Sequence, residues 1–394
     1  MKKIAMVGLY SIPNMGDQIL CDAAKYMVSR YSDEIQLVDM DVCPRYPEDY
    51  KGLEYIKYRL SRKLKTIGEK KYKYEDDHPG RYRYEKFMWR LRLKRYYRRM
   101  LRNVDAVIFC GGGFLKFRTQ GLNYYVEMIT EFADKFGIPV MMNGVGIEGF
   151  DESDIRCRRL KEHVNRRCVK VVTTRDDIDV LENGYIENKD IITARVGDPA
   201  LWTPECYDIE RNKESDVFGI NVIRGSVYRD YGNESGEDKI MRFYKDLIRE
   251  LDRRNVRWKL FSNGMPEDQE MADVLKEELS LSDDMIMPQP RKPMDLLEQI
   301  TGFRGILGAR LHACITAYSL DVPVTGLIWN EKQRIFAGMI NKEQNFFGES
   351  ELDPVKVTER LISAAGEEYD KEIRDDLRDK TRYYLEGFLK EAGF

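Results

Sequence analysis

The chain is poor in the residues that staple or metallate a fold. Its three histidines, His78, His163 and His312, are far apart, and its seven cysteines (Cys21, Cys43, Cys110, Cys157, Cys168, Cys206 and Cys314) contain no CxxC pair. That scatter excludes a zinc-type ligand spacing and a disulfide framework, so buried or free thiols and no metal are expected. No window reaches the roughly 18 apolar residues of a membrane-spanning helix. Low-complexity tracts and short-period repeats are missing. The P-loop pattern GxxxxGK(S/T) is absent, and no loop is read as dinucleotide-binding. The opening Met1-Lys2-Lys3 and its short apolar run lack a small-residue cleavage site and read better as a first strand than as a signal peptide. A cytoplasmic protein, placed at most at the inner face of the cell membrane, is the expectation.

What is present is alternation. At 394 residues, 42% hydrophobic and 34% charged, the chain suits about two soluble domains. Apolar strand-like runs alternate with amphipathic helical ones, which argues for α/β with parallel sheets. KIAMVGLY reads as a strand and is followed by a helix from about Asp17. There Leu20, Ala23, Ala24, Met27 and Val28 form the apolar stripe and Asp17 is the expected N-cap. The pattern restarts at VFGINVI. The expected architecture is two Rossmann-like domains facing across a cleft, GT-B-like, over residues 1–205 and 206–365. A C-terminal helix follows within 366–394.

Four glycine-bearing stretches are expected to be loops after strands of the first half: Asn14-Met15-Gly16-Asp17, Gly111-Gly112-Gly113, Asn143-Gly144-Val145-Gly146 and Gly197-Asp198-Pro199. Strand-end glycines let a ligand approach the backbone, and helix N-termini favour anions. Taken singly, each is also an ordinary βα turn. The stretch Gly308-Ala309-Arg310-Leu311-His312 is sharper, because it opens a helix directly after a strand. A planar guanidinium there can grip carboxylate or phosphate, and an imidazole suits general acid–base work. Arg224 and Lys332, at other strand ends, are further anion contacts by position. For Arg175-Asp176 an intradomain ion pair is the plain reading. His78 and His163 lie in highly charged stretches and are expected at the surface.

Together these pieces resemble the polysaccharide pyruvyl transferase family. The resemblance is carried by NMGDQIL, VIFCGGGFL, GVGI, TTRD, VGDPA and ILGARLHACITAYSLDVPVTGLIWNEK, in that order over most of the chain. It implies a GT-B-like fold. It also implies transfer of pyruvate from phosphoenolpyruvate onto two hydroxyls of a glycan sugar, giving a cyclic ketal in cell-surface polysaccharide biosynthesis. No cofactor is implied beyond phosphoenolpyruvate as donor substrate. Arg310, Leu311 and His312 match the family's functional Arg-Leu-His: Arg310 for the donor's anionic groups, His312 for acid–base work or phosphate contact. Asn14, Gly16 and Asp17 are expected on the opposite domain, facing His312 across the cleft, with Asp17 contacting or activating the acceptor. Gly112 and Gly113 complete the substrate-binding set. Unlike some members, this chain has no histidine after His312, and Asn330, Glu331 and Lys332 stand in that region.

Residues 44–103 carry no motif of that family. They hold 20 Lys/Arg against 8 Asp/Glu, a local +12, which leaves 45 against 60, or −15, for the rest of the chain. Ten of the 24 tyrosines lie among them. The segment is read as a helical insertion, packed by its aromatics on one side. It has a second reading, as a grip for an anionic acceptor such as a lipid-linked sugar, or for peripheral membrane contact. No nucleic-acid fold is recognisable. Two other functions stand beside pyruvyl transfer: a GT-B glycosyltransferase using a nucleotide sugar, and a catalytically silent glycan- or membrane-binding relative. The first is hinted at by the spacing of Glu343 and Glu351, although QNFFGES between them reads as a loop.

Overall fold

The computed structural model describes residues 1–42, 44, 53, 56, 79–118, 122–225, 227 and 237–394. Cys43, His78 and most of the first half of the basic segment lie outside the described residues. The chain forms two compact units, each built on a parallel sheet. One comprises 1–11, 24–199 and 379–394, and the other 12–23 and 200–378. A single boundary at 205/206 was the expectation, but the chain changes unit at four places. The reason for the earliest exchange is apolar burial. Met15, Ile19 and Leu20 belong to the same hydrophobic cluster as Phe261, Ile306 and Ile315, so the helix Met15–Ser29 starts in one unit and ends in the other. The C-terminal helix Lys371–Glu391 is likewise divided at residue 378.

In the first unit the strands are β1 (Lys2–Gly8), β2 (Ile35–Asp41), β3 (Ala106–Phe109), β4 (Gly112–Leu115), β5 (Val140–Ile147), β6 (Val169–Thr174) and β7 (Ile192–Arg195). Their order is β2-β1-β3-β5-β6-β7, with β4 paired to β5. From Ile4 onward β1 is buried, as expected for a central parallel strand covered on both faces. Two expected loops are strands instead. Gly112 and Gly113 open β4, and Asn143 to Gly146 lie inside β5, where a register shift against β6 absorbs them. Gly144, Gly146 and Gly149 do have the GxGxxG spacing, but two of them sit within a strand. A dinucleotide fingerprint needs that spacing in a strand-to-helix turn. Arg175 forms an ion pair within this unit, but its partner is Asp198, while Asp176 accepts the Ile147 N–H at 2.8 Å.

His163 corrects the surface reading, since it is fully buried. It lies on the helix Ile155–Val164, whose inward stripe is Arg156, Cys157, Leu160, His163 and Val164. Part of the charge of that stretch turns inward with it: Arg156 is buried against Asp154, and Arg159 and Arg166 reach the imidazole nitrogens. Asn183 and Gly184 lie inside the short π-helix Val180–Tyr185.

The second unit holds β8 (Phe218–Asn221), β9 (Trp258–Phe261), β10 (Gly305–Gly308), β11 (Val324–Ile328) and β12 (Phe346–Gly348). All pair in parallel, in the order β12-β11-β10-β8-β9. The stretch between Glu343 and Glu351, expected as a loop, supplies the edge strand β12, and Glu351 accepts the Gly348 N–H at 2.9 Å.

Candidate active site

In the second sheet the strand order reverses between β8 and β10. Crevices outside the carboxyl ends of strands at such a switch point are where open α/β sheets bind ligands. Asn221 ends β8. Gly308 ends β10 and passes through Ala309 and Arg310 into the helix Leu311–Ser319, so His312 is that helix's second residue. The Arg310 backbone is extended at the N-cap, and its side chain makes no cap.

Asn221 is completely buried and ties this end of the sheet together. Its Oδ1 accepts the backbone N–H of Ala309 (3.2 Å) and of Arg310 (3.0 Å). Its Nδ2 donates to the Phe261 carbonyl (3.3 Å) and to Asn263 Oδ1 (3.1 Å). The Asn263 carbonyl in turn accepts the Met15 N–H at 2.9 Å. One buried amide thus fixes the start of the Arg-Leu-His turn and, through Asn263, the Asn14–Asp17 turn. Gly264 follows with a φ of +99°, and a Cβ there would press on the Pro13 carbonyl oxygen at 2.8 Å.

Within this frame His312 Nδ1 and Asp17 Oδ1 stand 3.1 Å apart, hydrogen-bonding distance, with side chains only 8% and 17% exposed. The other Asp17 oxygen accepts from Asn14 Nδ2 at 2.9 Å. Asp17 is therefore not the N-cap. The helix begins at Met15, Asn14 stands before it, and the Asn14 carbonyl receives the Asp17 N–H at 3.1 Å. The approach depends on Gly16, where a Cβ would collide with His312 Cβ and sit 3.1 Å from its Cγ. Asn14, Gly16 and Asp17 are not on an opposite domain. They belong to the same compact unit as His312, because the apolar face of their helix is part of that unit's core.

Arg310 is held by Asp268. Its Nε and Nη2 donate to the two carboxylate oxygens at 2.7 Å each. Asp268 is wholly buried and also accepts the Arg224 N–H at 3.1 Å. A bidentate pair orients the guanidinium and offsets its charge, leaving Nη1 and one Nη2 hydrogen as the donors a ligand anion could use. Trp329 Nε1 (2.6 Å) and Gln333 Nε2 (3.2 Å) both donate to the Ala309 carbonyl. They bracket Lys332, half-buried in the first turn of the helix Glu331–Met339 that Asn330 caps. Cys314 is not a nucleophile candidate: burial pushes its thiol up to about 12.

The structure thus gathers Asn14, Gly16, Asp17, Arg310 and His312, ties the Arg224 backbone to Asp268, and packs Leu311 against the core. Gly112 and Gly113 belong to the other unit. Asn221, Asn263 and Asp268 were missed by the sequence reading. For Asn221 a signal existed: an asparagine inside an apolar strand needs a buried partner.

Solved structures give the fold a context. UDP-GlcNAc 2-epimerase from Methanocaldococcus jannaschii aligns over 98% of this chain and 99% of its own, with a TM-score of 0.58 and 11% identity. The Neisseria meningitidis UDP-GlcNAc 2-epimerase bound to UDP-GlcNAc covers 99% and 100%, at 0.53 and 12%. The UDP-forming α,α-trehalose-phosphate synthase from Burkholderia vietnamiensis covers 100% and 99%, at 0.50 and 9%. At such identities the likeness speaks for a GT-B-like α/β fold with parallel sheets and for nothing finer. No curated protein matches the chain. The sequence model of the polysaccharide pyruvyl transferases, however, matches residues 14–331, a span that starts at Asn14 and takes in Asp17, Arg224, Arg310 and His312. The chain belongs to the polysaccharide pyruvyl transferase family.

Proposed function

We propose that this protein transfers pyruvate from phosphoenolpyruvate to two hydroxyls of a glycan sugar, as a cyclic ketal, in cell-surface polysaccharide assembly. The observation that carries the reading is the His312–Asp17 pair beside Arg310, within a chain of this family. Phosphoenolpyruvate brings a carboxylate and a phosphate, which call for cationic donors such as Arg310, Arg224 and Lys332. Its methylene carbon must gain a proton, and each attacking hydroxyl must lose one.

In the first step a sugar oxygen bonds to C2 of phosphoenolpyruvate. The C2=C3 electron pair takes a proton from His312 Nε2, and the hydroxyl proton leaves to restore the imidazolium. In the second step the other sugar oxygen bonds to C2, the C2–O bond breaks with its electron pair going to the phosphate, and the second hydroxyl proton leaves with that phosphate. The products are the ketal and inorganic phosphate. Asp17, on Nδ1, holds the ring in place and balances the imidazolium charge. Asn14 fixes Asp17 in turn.

The test pairs binding with turnover. Phosphoenolpyruvate is expected to raise the unfolding midpoint by mass action, and UDP-GlcNAc is not. Phosphate release from phosphoenolpyruvate should require an acceptor glycan. Stabilisation by the nucleotide sugar alone would favour a glycosyltransferase, and donor binding without turnover on any acceptor would favour a silent relative.

A further inference from the structure

The described part of the basic segment contains the helix Pro79–Leu101, with nine Lys/Arg and one carboxylate, Glu85. Its inner face buries Tyr82, Met88, Trp89, Leu93 and Tyr97. Trp89 meets Tyr125 edge-on, with ring centroids 4.8 Å apart, on the helix Asn123–Phe136 of the same unit. Glu85 belongs to this packing, since it pairs with Arg81 (2.9 Å) and accepts from Tyr124 (2.6 Å).

The outer face is built differently. At about 100° per residue, Arg83, Lys94, Phe87, Arg98, Leu91, Arg102 and Arg95 follow one another around an arc of about 120°. All seven are exposed, and no carboxylate shares the arc. Phe87 and Leu91, 61% and 39% exposed, sit in its middle, one turn apart. Leu53 and Ile56, also in the basic segment, are 75% and 60% exposed. Four of the nine large apolar side chains exposed among the described residues therefore fall in the most basic part of the chain.

We propose that the Arg83–Arg102 face is a docking surface for an anionic lipid bilayer. A polyanion such as RNA or an acidic glycan would use the cations and leave Phe87 and Leu91 in water. An anionic bilayer uses both classes. The aromatic and aliphatic side chains enter the headgroup–acyl boundary, while Arg and Lys extend their charged ends to the lipid phosphates. Glu85, the carboxylate that would oppose such contact, is turned inward and neutralised by Arg81. Recruitment of this kind is independent of the reaction catalysed. Among the described residues no helix is long and apolar enough to cross a membrane, so the contact is peripheral and reversible.

The full-length protein should sediment with phosphatidylglycerol–phosphatidylcholine vesicles, stay in solution with phosphatidylcholine alone, and be released by rising salt. The double variant Phe87→Ser/Leu91→Ser keeps every charge and should bind the anionic vesicles about tenfold more weakly. Arg83→Glu/Arg98→Glu should abolish binding. These side chains are solvent-facing, so unfolding midpoints should not move. As an independent readout, the indole introduced by Phe87→Trp should shift to the blue on anionic vesicles only. Absence of vesicle binding by the native protein overturns the proposal, as does binding that Phe87→Ser/Leu91→Ser leaves unchanged. Tighter association with heparin or RNA, insensitive to the same variant, would assign the face to a polyanion and also overturn it.

Discussion

His163 and His312 are both buried, both on helices and both near a carboxylate, yet their surroundings set them to different tasks. His163 lies among cations: Arg166 Nε donates to its Nδ1 at 3.0 Å, and Arg159 Nη2 is 3.3 Å from its Nε2. Thr130 Oγ1 is 3.1 Å from Nδ1, while the Glu127 carboxylate stays 3.9 Å from Nε2 and is engaged by Tyr82 and Lys86. Burial first, then Arg166, Arg159, Lys86 and Arg90, hold its pKa down to about 2, so it is a neutral packing element. His312 instead opens a helix at the carboxyl end of a strand, with Asp17 at 3.1 Å. Proximity to a carboxylate is not enough to make an acid–base group. What differs is the ring's nearest charged partner: Arg166 and Arg159 at His163, the Asp17 carboxylate at His312.

The largest expected effect divides the two directly. His312→Asn should slow phosphate release by about 10²- to 10⁴-fold, the usual worth of a general acid–base group. His163→Gln should leave turnover within about twofold, since it touches no part of the candidate site. Equal losses in the two variants would erase the distinction. Gly16→Ala comes next. Its methyl must displace the His312 ring, at a cost of about 1–3 kcal/mol in stability and about 10²-fold in turnover. A fully active Gly16→Ala protein would show that the close approach of the Asn14–Asp17 turn is not required.

Asp268→Asn tests how Arg310 is held. Removing a buried carboxylate from a bidentate pair costs about 3 kcal/mol, reduced here because the arginine is partly exposed. KM for phosphoenolpyruvate should rise by about tenfold, with kcat less affected, as a positioning defect in donor binding. A fall in kcat at unchanged KM would place Arg310 in the chemical step instead.

The last test concerns His163 and pH, and bears on stability alone. Its pKa is about 2 folded against 6.5 unfolded. As pH falls, the unfolded chain takes up the proton first, so this contribution to stability is complete above pH 6.5. It is lost progressively between about 6.5 and about 2, by up to about 1.4 kcal/mol per pH unit. His163→Gln should flatten that dependence in urea unfolding between about pH 7 and about pH 5. An unchanged slope would show that other groups account for it.

Much of this was legible in the chain itself. Continuous apolar runs and period-3.6 patterning announce the strands and most helices, and Arg310 and His312 stand out as a strand-to-helix pair. The misreadings share one cause. The charge around His163 suggested a surface, and the glycines at 112–113 and 143–146 suggested loops, because composition says nothing of which face turns inward or which strand pairs with which. Asn221, Asn263 and Asp268 escaped notice because the partners that tie them into the site lie at least 40 residues away in sequence.

By itself the sequence determined the alternating α/β elements, the family, and a turn, Asn14-Met15-Gly16-Asp17, whose residues can bend and hydrogen-bond. Local propensity and hydrophobic periodicity suffice for these, since they are properties of neighbours along the chain. That this turn lies in the same unit as residues 200–378 was decided only in three dimensions. There Met15, Ile19 and Leu20 are buried in that unit's core, and the missing Cβ of Gly16 lets His312 reach Asp17. Burial and close approach depend on which distant surfaces meet, and no local pattern contains that information.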